Sequence, residues 1–164
     1  MDIGKKMQDA INEQIKNEIY SGYLYLAMAN WCEAESLPGV ANWLRVQRAE
    51  EESHAAKFAE YVLERGGKVL LQAIPQPPLE WKSVLDVFEN VLEHEHKVTE
   101  MIYKLYELAL AEKDYQSQVM LHWFLTEQVE EEKNDAEIIA QVKMIENRQS
   151  GYLMLDHELG ERKG

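Results

Sequence analysis

Cysteine is nearly absent. Cys32 stands alone in 164 residues, so the chain can build neither an internal disulfide framework nor a cysteine-rich zinc site. Glycine and proline are scarce as well, 8 and 4 residues, and long stretches hold neither. That disfavours a strand-and-turn fold and favours long helices. No apolar run approaches the ~20 residues needed to cross a bilayer. The opening Met1-Asp2-Ile3-Gly4-Lys5-Lys6 leads into a polar amphipathic stretch and not the apolar core of a secretion signal. A reducing cytoplasm is therefore the expected compartment. Basic residues are outnumbered, 17 Lys and Arg against 30 Asp and Glu, for a formal charge of −13. This balance argues against a nucleic-acid or anionic-membrane partner and is compatible with attraction of cations.

What the sequence does contain is apolar periodicity. With 46% apolar and 29% charged residues, it has the composition of a globular protein, long enough for one domain over 1–164 with a sizeable core. A first helix is expected from about Ile3 to Ala34, ended by Ser36-Leu37-Pro38-Gly39. Pro38 suits the first turn of a second helix that reaches about Arg65 and stops at Gly66-Gly67. The connection from Gly66 to Trp81 carries Pro75, Pro77 and Pro78. It is long enough to run the length of a bundle, and its Val69, Leu70, Leu71 and Ile74 are expected to pack along it. A third helix starts at Ser83, with Asp86 as capping-box partner. A fourth follows Glu112-Lys113-Asp114 and runs to about Ile145, and after a break at Asn147 to Gly151 a short fifth helix ends near Leu159. At ~1.5 Å per residue the four long helices each span roughly 40–50 Å.

Each long helix has a core stripe at steps of three and four, and each stripe is interrupted near its middle by polar groups. The first reads Met7, Ile11, Ile15, Glu18, Gly22, Tyr25, Ala29; the second Val40, Leu44, Gln47, Glu51, His54, Phe58, Tyr61. The third reads Val84, Phe88, Val91, Glu95, Val98, Ile102, Leu105, Ala109, and the fourth Leu121, Phe124, Gln128, Glu131, Asp135, Ile138, Val142, Ile145. Glu51 and His54, one turn apart on one face, can hold a single cation. An ionised carboxylate buried without a partner costs several kcal/mol, so a cation or proton is expected there. The spacings reinforce this. Glu18 to Glu51 and Glu95 to Gln128 are both 33 residues, and a shift of 77 carries Glu18, Glu51 and His54 onto Glu95, Gln128 and Glu131. Two helical hairpins thus present one Glu and then a pair of ligands one turn apart, converging at one level of a pseudo-twofold bundle. Oxygen ligands with a single imidazole suit iron or manganese, and Zn(II) could occupy the same atoms.

Asn17-Glu18-Ile19-Tyr20, Tyr23-Leu24-Tyr25, Glu50-Glu51-x-x-His54 and Glu127-Gln128-x-Glu130-Glu131-Glu132 together resemble the non-haem ferritins of bacteria and archaea over nearly the whole chain. The resemblance implies an all-α, ferritin-like four-helix bundle with a long crossover between helices two and three and a short fifth helix. It also implies a homo-oligomeric shell, usually of twenty-four copies. The implied activity is oxidation of Fe(II) by dioxygen or peroxide at an intra-subunit di-iron centre, with ferric mineral stored inside the shell. Residue by residue, one iron falls on Glu18, Glu51 and His54. A second falls on bridging Glu51 with Glu95 and Glu131, with Gln128 close by. A third, outer iron matches Glu50, Glu127 and Glu130, with Glu131 a candidate for sharing. Tyr25 and Trp123 match positions that could donate a hydrogen bond or an electron.

Several departures shape the reading. Where ferritin-like di-iron proteins carry a second Glu-x-x-His, this chain has Gln128-x-x-Glu131, and Glu52 stands where bacterioferritins place a haem-ligating Met, so no haem is expected. Gln118 and Leu121 replace the acidic channel residues of animal ferritins. A rubrerythrin-like peroxidase needs cysteine pairs, and a mini-ferritin lacks the fifth helix. A non-catalytic shell subunit would have lost the inner ligands. His94 and His96, flanking Glu95, are expected at the surface or a subunit interface, and Trp31, Trp43 and Trp81 are expected outside the bundle, covered by neighbouring subunits.

Overall fold

The computed structural model describes residues 2–145 and 148–164 as five α-helices, with no strand among them: α1 Lys5–Ala34, α2 Pro38–Glu64, α3 Val84–Ala111, α4 Tyr115–Ile145 and α5 Gln149–Gly160. The boundaries follow local chemistry. Pro38 opens α2, where its missing N–H costs nothing. Gly66 leaves α2 at φ +70°, a left-handed conformation that glycine adopts without a Cβ clash. Ser83 caps α3 by accepting from the Asp86 N–H at 3.1 Å. The Asp86 carboxylate accepts in return from the Lys82 N–H at 2.8 Å, one residue earlier than a capping box would have it. In the expected break near the C-terminus, Asn147 lies outside the described residues. Gln149 to Gly151 already belong to α5.

Side-chain contacts fix the directions. The short turn between α1 and α2 makes them antiparallel neighbours. Across the bundle, Tyr61 meets Ser117, Phe58 stacks on Phe124 and Gln47 reaches Glu131, so α2 and α4 are antiparallel too. The 2–3 connection does run the length of the bundle along α1. It starts where Asn12 bonds both the Lys68 carbonyl and the Leu70 N–H, and it ends where Trp81 packs edge-on against Trp31, ring centroids 6.2 Å apart. Its apolar residues behave differently from expectation. Val69 and Ile74 are half-buried, whereas Leu70 and Leu71 are 55% and 75% exposed.

Every residue of the expected stripes of α1 and α3 is buried; on α2 and α4 only Tyr61 and Ile145, at the stripe ends, are half-buried. The core falls into two apolar clusters. One, centred on Tyr25, Leu44, Phe88 and Val142, lies at the α5 end; the other, centred on Ile11, Phe58, Ile102 and Phe124, lies at the opposite end. Between them runs the polar layer. Two tryptophans need correction: Trp43 and Trp81 are core residues, 5% and 7% exposed, and Trp43 lies 5.3 Å from the Phe88 ring. Trp31 is half-buried. A bundle helix touches two neighbours and so buries more than one stripe, and α5 covers α2 besides.

Candidate metal centre

Four helices deliver the polar layer: Glu18 from α1, Glu51 and His54 from α2, Glu95 from α3, Gln128 and Glu131 from α4. None is more than 5% exposed. Glu18, Glu51 and His54 offer ligand atoms that all lie within 4.8 Å of one another, and so do His54, Glu127 and Glu131. His54 stands between the two groupings, its Nδ1 3.6 Å from Glu51 and its Nε2 3.9 Å from Glu127. The rings of Trp123 and Phe124 hold it edge-on at 5.4 and 5.9 Å.

The hydrogen bonds divide these carboxylates into two kinds. Glu95 is fully supported. Tyr25 donates its hydroxyl hydrogen to one Glu95 oxygen, and the Gln128 amide donates to the other at 3.1 Å. Glu131 accepts from the Gln47 amide at 2.8 Å. Glu18 accepts from Gln14 on one oxygen at 2.7 Å. Its other oxygen, Oε2, and both oxygens of Glu51 are buried with no hydrogen-bond partner among the described residues. Orphaned acceptors of this kind call for a proton or a cation, and the oxygen-rich, single-imidazole set around them suits iron.

The electrostatics agree. Burial first, and the Glu51 charge next, push the Glu18 carboxyl well above the usual carboxylate range. Burial and then the charge of Glu95 do the same to Glu51. Glu95 is raised by burial, with the Tyr25 and Gln128 bonds pulling it back. Burial and Glu95 lift Glu131 to about 7. Without a cation the layer holds protons.

The three outer residues are spread more widely. Glu127 is half-buried beside His54, Glu130 is exposed, and Glu50 is half-buried and paired with Arg162 at 2.6 Å. Neither Glu50 nor Glu130 joins a ligand grouping among the described residues. His94 is not a plain surface residue. It is half-buried between α1 and α3, its Nε2 2.8 Å from the Ser21 hydroxyl and its ring edge-on to Tyr20 and Tyr25. Burial lowers it to about 4. His96 is exposed, as expected.

Four participants were not legible as such. Gln14 and Gln47 each precede a site Glu by four residues, a repeated i, i+4 signal that could have found them. Asp135 reads in sequence only as a stripe residue. It is 1% exposed with both oxygens unpartnered among the described residues, and burial, then Glu95, raise it to about 9. Arg162 gave no signal.

Residues 8–145 match the ferritin-like domain family. A bacterial non-heme ferritin of Bacteroides fragilis is 40% identical over 160 residues, 98% of this chain and 99% of that protein. One of Campylobacter jejuni is 38% identical over 154 residues, 94% of this chain and 92% of that protein. An open-pore ferritin from the hyperthermophilic archaeon Archaeoglobus fulgidus superposes with a TM-score of 0.98 at 46% identity, over 99% of this chain and 100% of that one. Helix order, crossover, buried Glu and His layer and these likenesses agree: the chain belongs to the ferritin family of iron-storage proteins, among its non-haem members.

Proposed function

We propose that this chain, one ferritin-like domain over 1–164, is a ferroxidase subunit. It oxidises Fe(II) with dioxygen or peroxide inside the bundle and stores the ferric product in a cytoplasmic shell of twenty-four copies. The observation that carries this reading is the unpartnered set, Glu18 Oε2 and both oxygens of Glu51, facing His54. Glu18, Glu51 and His54 take one Fe(II); Glu51 also serves a second, with Glu95 and Glu131 and with Gln128 alongside. Glu50, Glu127, Glu130 and Glu131 take an outer ion, and the closeness of Glu127 and Glu131 to His54 supports that placement.

Charge explains why the layer accepts two ions. Glu18, Glu51, Glu95 and Glu131 sum to −4 when ionised, and two divalent ions supply +4, so a loaded layer is neutral where isolated charge would be costly. Each Fe(II) gives up one electron. Dioxygen takes both with two protons as hydrogen peroxide, or peroxide takes both with two protons as two waters. Iron entering the layer releases to the solvent whatever protons these carboxyls hold, since burial raises Glu18 and Glu51 well above the usual carboxylate range. Tyr25, Gln128 and Gln47 hold Glu95 and Glu131 in place, and Tyr25 and Trp123 flank the layer as candidate electron donors.

Mixing Fe(II) with metal-free protein in air tests this. Near-ultraviolet absorbance should grow rapidly with the wild type and at least about tenfold more slowly with Glu51→Ala or His54→Ala, the scale on which disturbed metal sites lose activity. Equal rates in all three would reject the centre. Protein produced with haem supplied should show no Soret band.

A further inference from the structure

Arg162 lies beyond the end of α5, and its guanidinium reaches back into the layer of acidic residues on α2. One nitrogen donates to Glu50 Oε2 at 2.6 Å and the other to Gln47 Oε1 at 3.0 Å. The Gln47 amide in turn donates to Glu131 Oε2 at 2.8 Å. Arg162 therefore contacts one carboxylate assigned to the outer ion directly and a second through one intervening side chain. Its plane stacks over Trp43, 4.5 Å from the ring centroid, and its side chain is 22% exposed against 38% for Glu50.

The tail is held where it is by contacts that do not involve the arginine side chain. Asp156 of α5 accepts from the Val40 N–H at 2.9 Å, and the Asn42 amide donates to the backbone carbonyls of Gly160 and Arg162 at 3.3 and 3.1 Å. At Gly39 a Cβ would fall 1.6 Å from the Asp156 carbonyl oxygen. Helix α5 can press this closely on the start of α2 because that position has no side chain. Arg162 is thus delivered to Glu50 by the docking of α5.

We propose that Arg162 is a tethered cation that stands in for the outer iron at Glu50, so that the third ion and the arginine compete for one carboxylate. The inference rests on the outer-site assignment made above. A guanidinium keeps its charge at every pH a protein survives, and its 2.6 Å contact is a charge-assisted bond that uses up a Glu50 oxygen. A divalent ion on Glu50 would be left the other oxygen and would meet that fixed positive charge at close range, so each weakens the hold of the other. The coupling is reciprocal: whatever the arginine costs the ion, the ion costs the docked tail. The inner pair makes no contact with Arg162 except through Gln47 and Glu131, so the effect falls on the third ion.

The test is an equilibrium titration of the assembled, metal-free protein with Zn(II), a redox-silent probe of the same ligands, read by calorimetry and by metal content after dialysis. The wild type should take two ions tightly and a third weakly. Arg162→Gln and Arg162→Ala should tighten the third on the order of fivefold or more, the scale of a partly exposed charge pair with added hydrogen bonds. Arg162→Lys, which retains the charge, should gain less. Glu50→Gln combined with Arg162→Gln should lose the gain. A third ion bound equally or more weakly in both the Gln and Ala variants would overturn the proposal, as would an equal gain with Lys or a gain that survives Glu50→Gln. Two tight inner ions with an unchanged third would remove Arg162 and leave the di-iron reading standing. A wild type that fails to take two tight ions would remove both.

Discussion

Tyr25 on α1 donates its hydroxyl hydrogen to Glu95 on α3, and that bond joins the aromatic end of the core to the carboxylate layer. Burial, and then the Glu95 charge, raise the tyrosine well above its ordinary range, so its hydroxyl remains a donor throughout the working pH. Tyr25→Phe should leave a buried Glu95 oxygen short of its donor, raise the Glu95 carboxyl further and destabilise the metal-free protein by about 1–2 kcal/mol. Because the bond also orients Glu95, iron oxidation should slow by roughly tenfold. Melting curves and stopped-flow absorbance on the same preparation check both effects. A variant unchanged in both would mean the contact is incidental.

The pH dependence of the metal-free protein follows from Glu131 and Asp135. Both are raised by burial first and by Glu95 next, from 4.5 to about 7 and from 3.8 to about 9. A raised acid holds its proton in the folded state after the unfolded chain has lost it. The stability it contributes is complete below the unfolded value and is lost as pH rises through the folded one. The melting temperature should therefore fall between pH 6 and pH 9, by roughly 5–10 °C, and Asp135→Asn should remove most of the decline above pH 7. Calorimetry of chelator-treated protein decides it. A melting temperature that is flat or rising over that interval would contradict the buried, protonated layer.

The elements and the inner site were legible for one physical reason: a helix with one buried stripe writes that stripe into the sequence at a period of 3.6. A polar residue inside an apolar stripe then stands out, as Glu18, Glu51, Glu95 and Gln128 do. Pro38, Gly66 and Ser83 mark ends because each acts on its own backbone. What failed depended on docking. Arg162 meets Glu50 across 112 residues of chain, and the contact exists only because α5 folds onto α2 at Gly39. Trp43 looks like an outer residue until α5 and Arg162 cover it. His94 belongs to the groove between α1 and α3, which the stripe of α3 alone does not reveal. Asp135 was in plain view on its stripe, but nothing repeated it in the other half of the chain.

Assembly should depend on the outer face of the crossover. Leu71 and Leu79 are 75% and 61% exposed. Nearby, a cavity of about 570 Å³ lies between α1 and the crossover, lined by Tyr23, Trp31, Ile74 and Pro77. Apolar surface of this kind marks an interaction site. The wild type should run as a large closed oligomer in size-exclusion chromatography with light scattering. Leu71→Glu with Leu79→Glu should shift it to small species with unchanged helical circular dichroism, because neither side chain is buried within the chain. A wild type that is monomeric at micromolar concentration would remove the storage reading and leave the metal centre.

The sharpest contrast is between Glu95 and Glu51, two carboxylates on buried stripes with opposite surroundings. From the stripe alone, Glu95→Leu would be expected to leave the metal-free fold as stable or more so, as replacements of buried charges often do. The bonds reverse that expectation. Leucine would strand the buried Tyr25 hydroxyl and take one acceptor from the buried Gln128 amide, which keeps the Glu95 backbone carbonyl and the Thr99 hydroxyl, so Glu95→Leu should destabilise the metal-free protein by about 1–2 kcal/mol. Glu51 is the residue to which the original logic applies. Both its oxygens are buried, and the groups beside them, the Glu18 carboxyl and the Gln47 amide, keep bonds of their own to Gln14 and Glu131, so Glu51→Leu should hold or raise metal-free stability, by about 1 kcal/mol. Both variants should lose rapid iron oxidation, since each removes a proposed ligand. Thermal melts of the two metal-free variants beside the wild type, with oxidation rates from the same samples, separate the roles. If Glu51→Leu melted lower than Glu95→Leu, Glu51 would have to be part of a structural network, and the case for an open cation position at its oxygens would be lost.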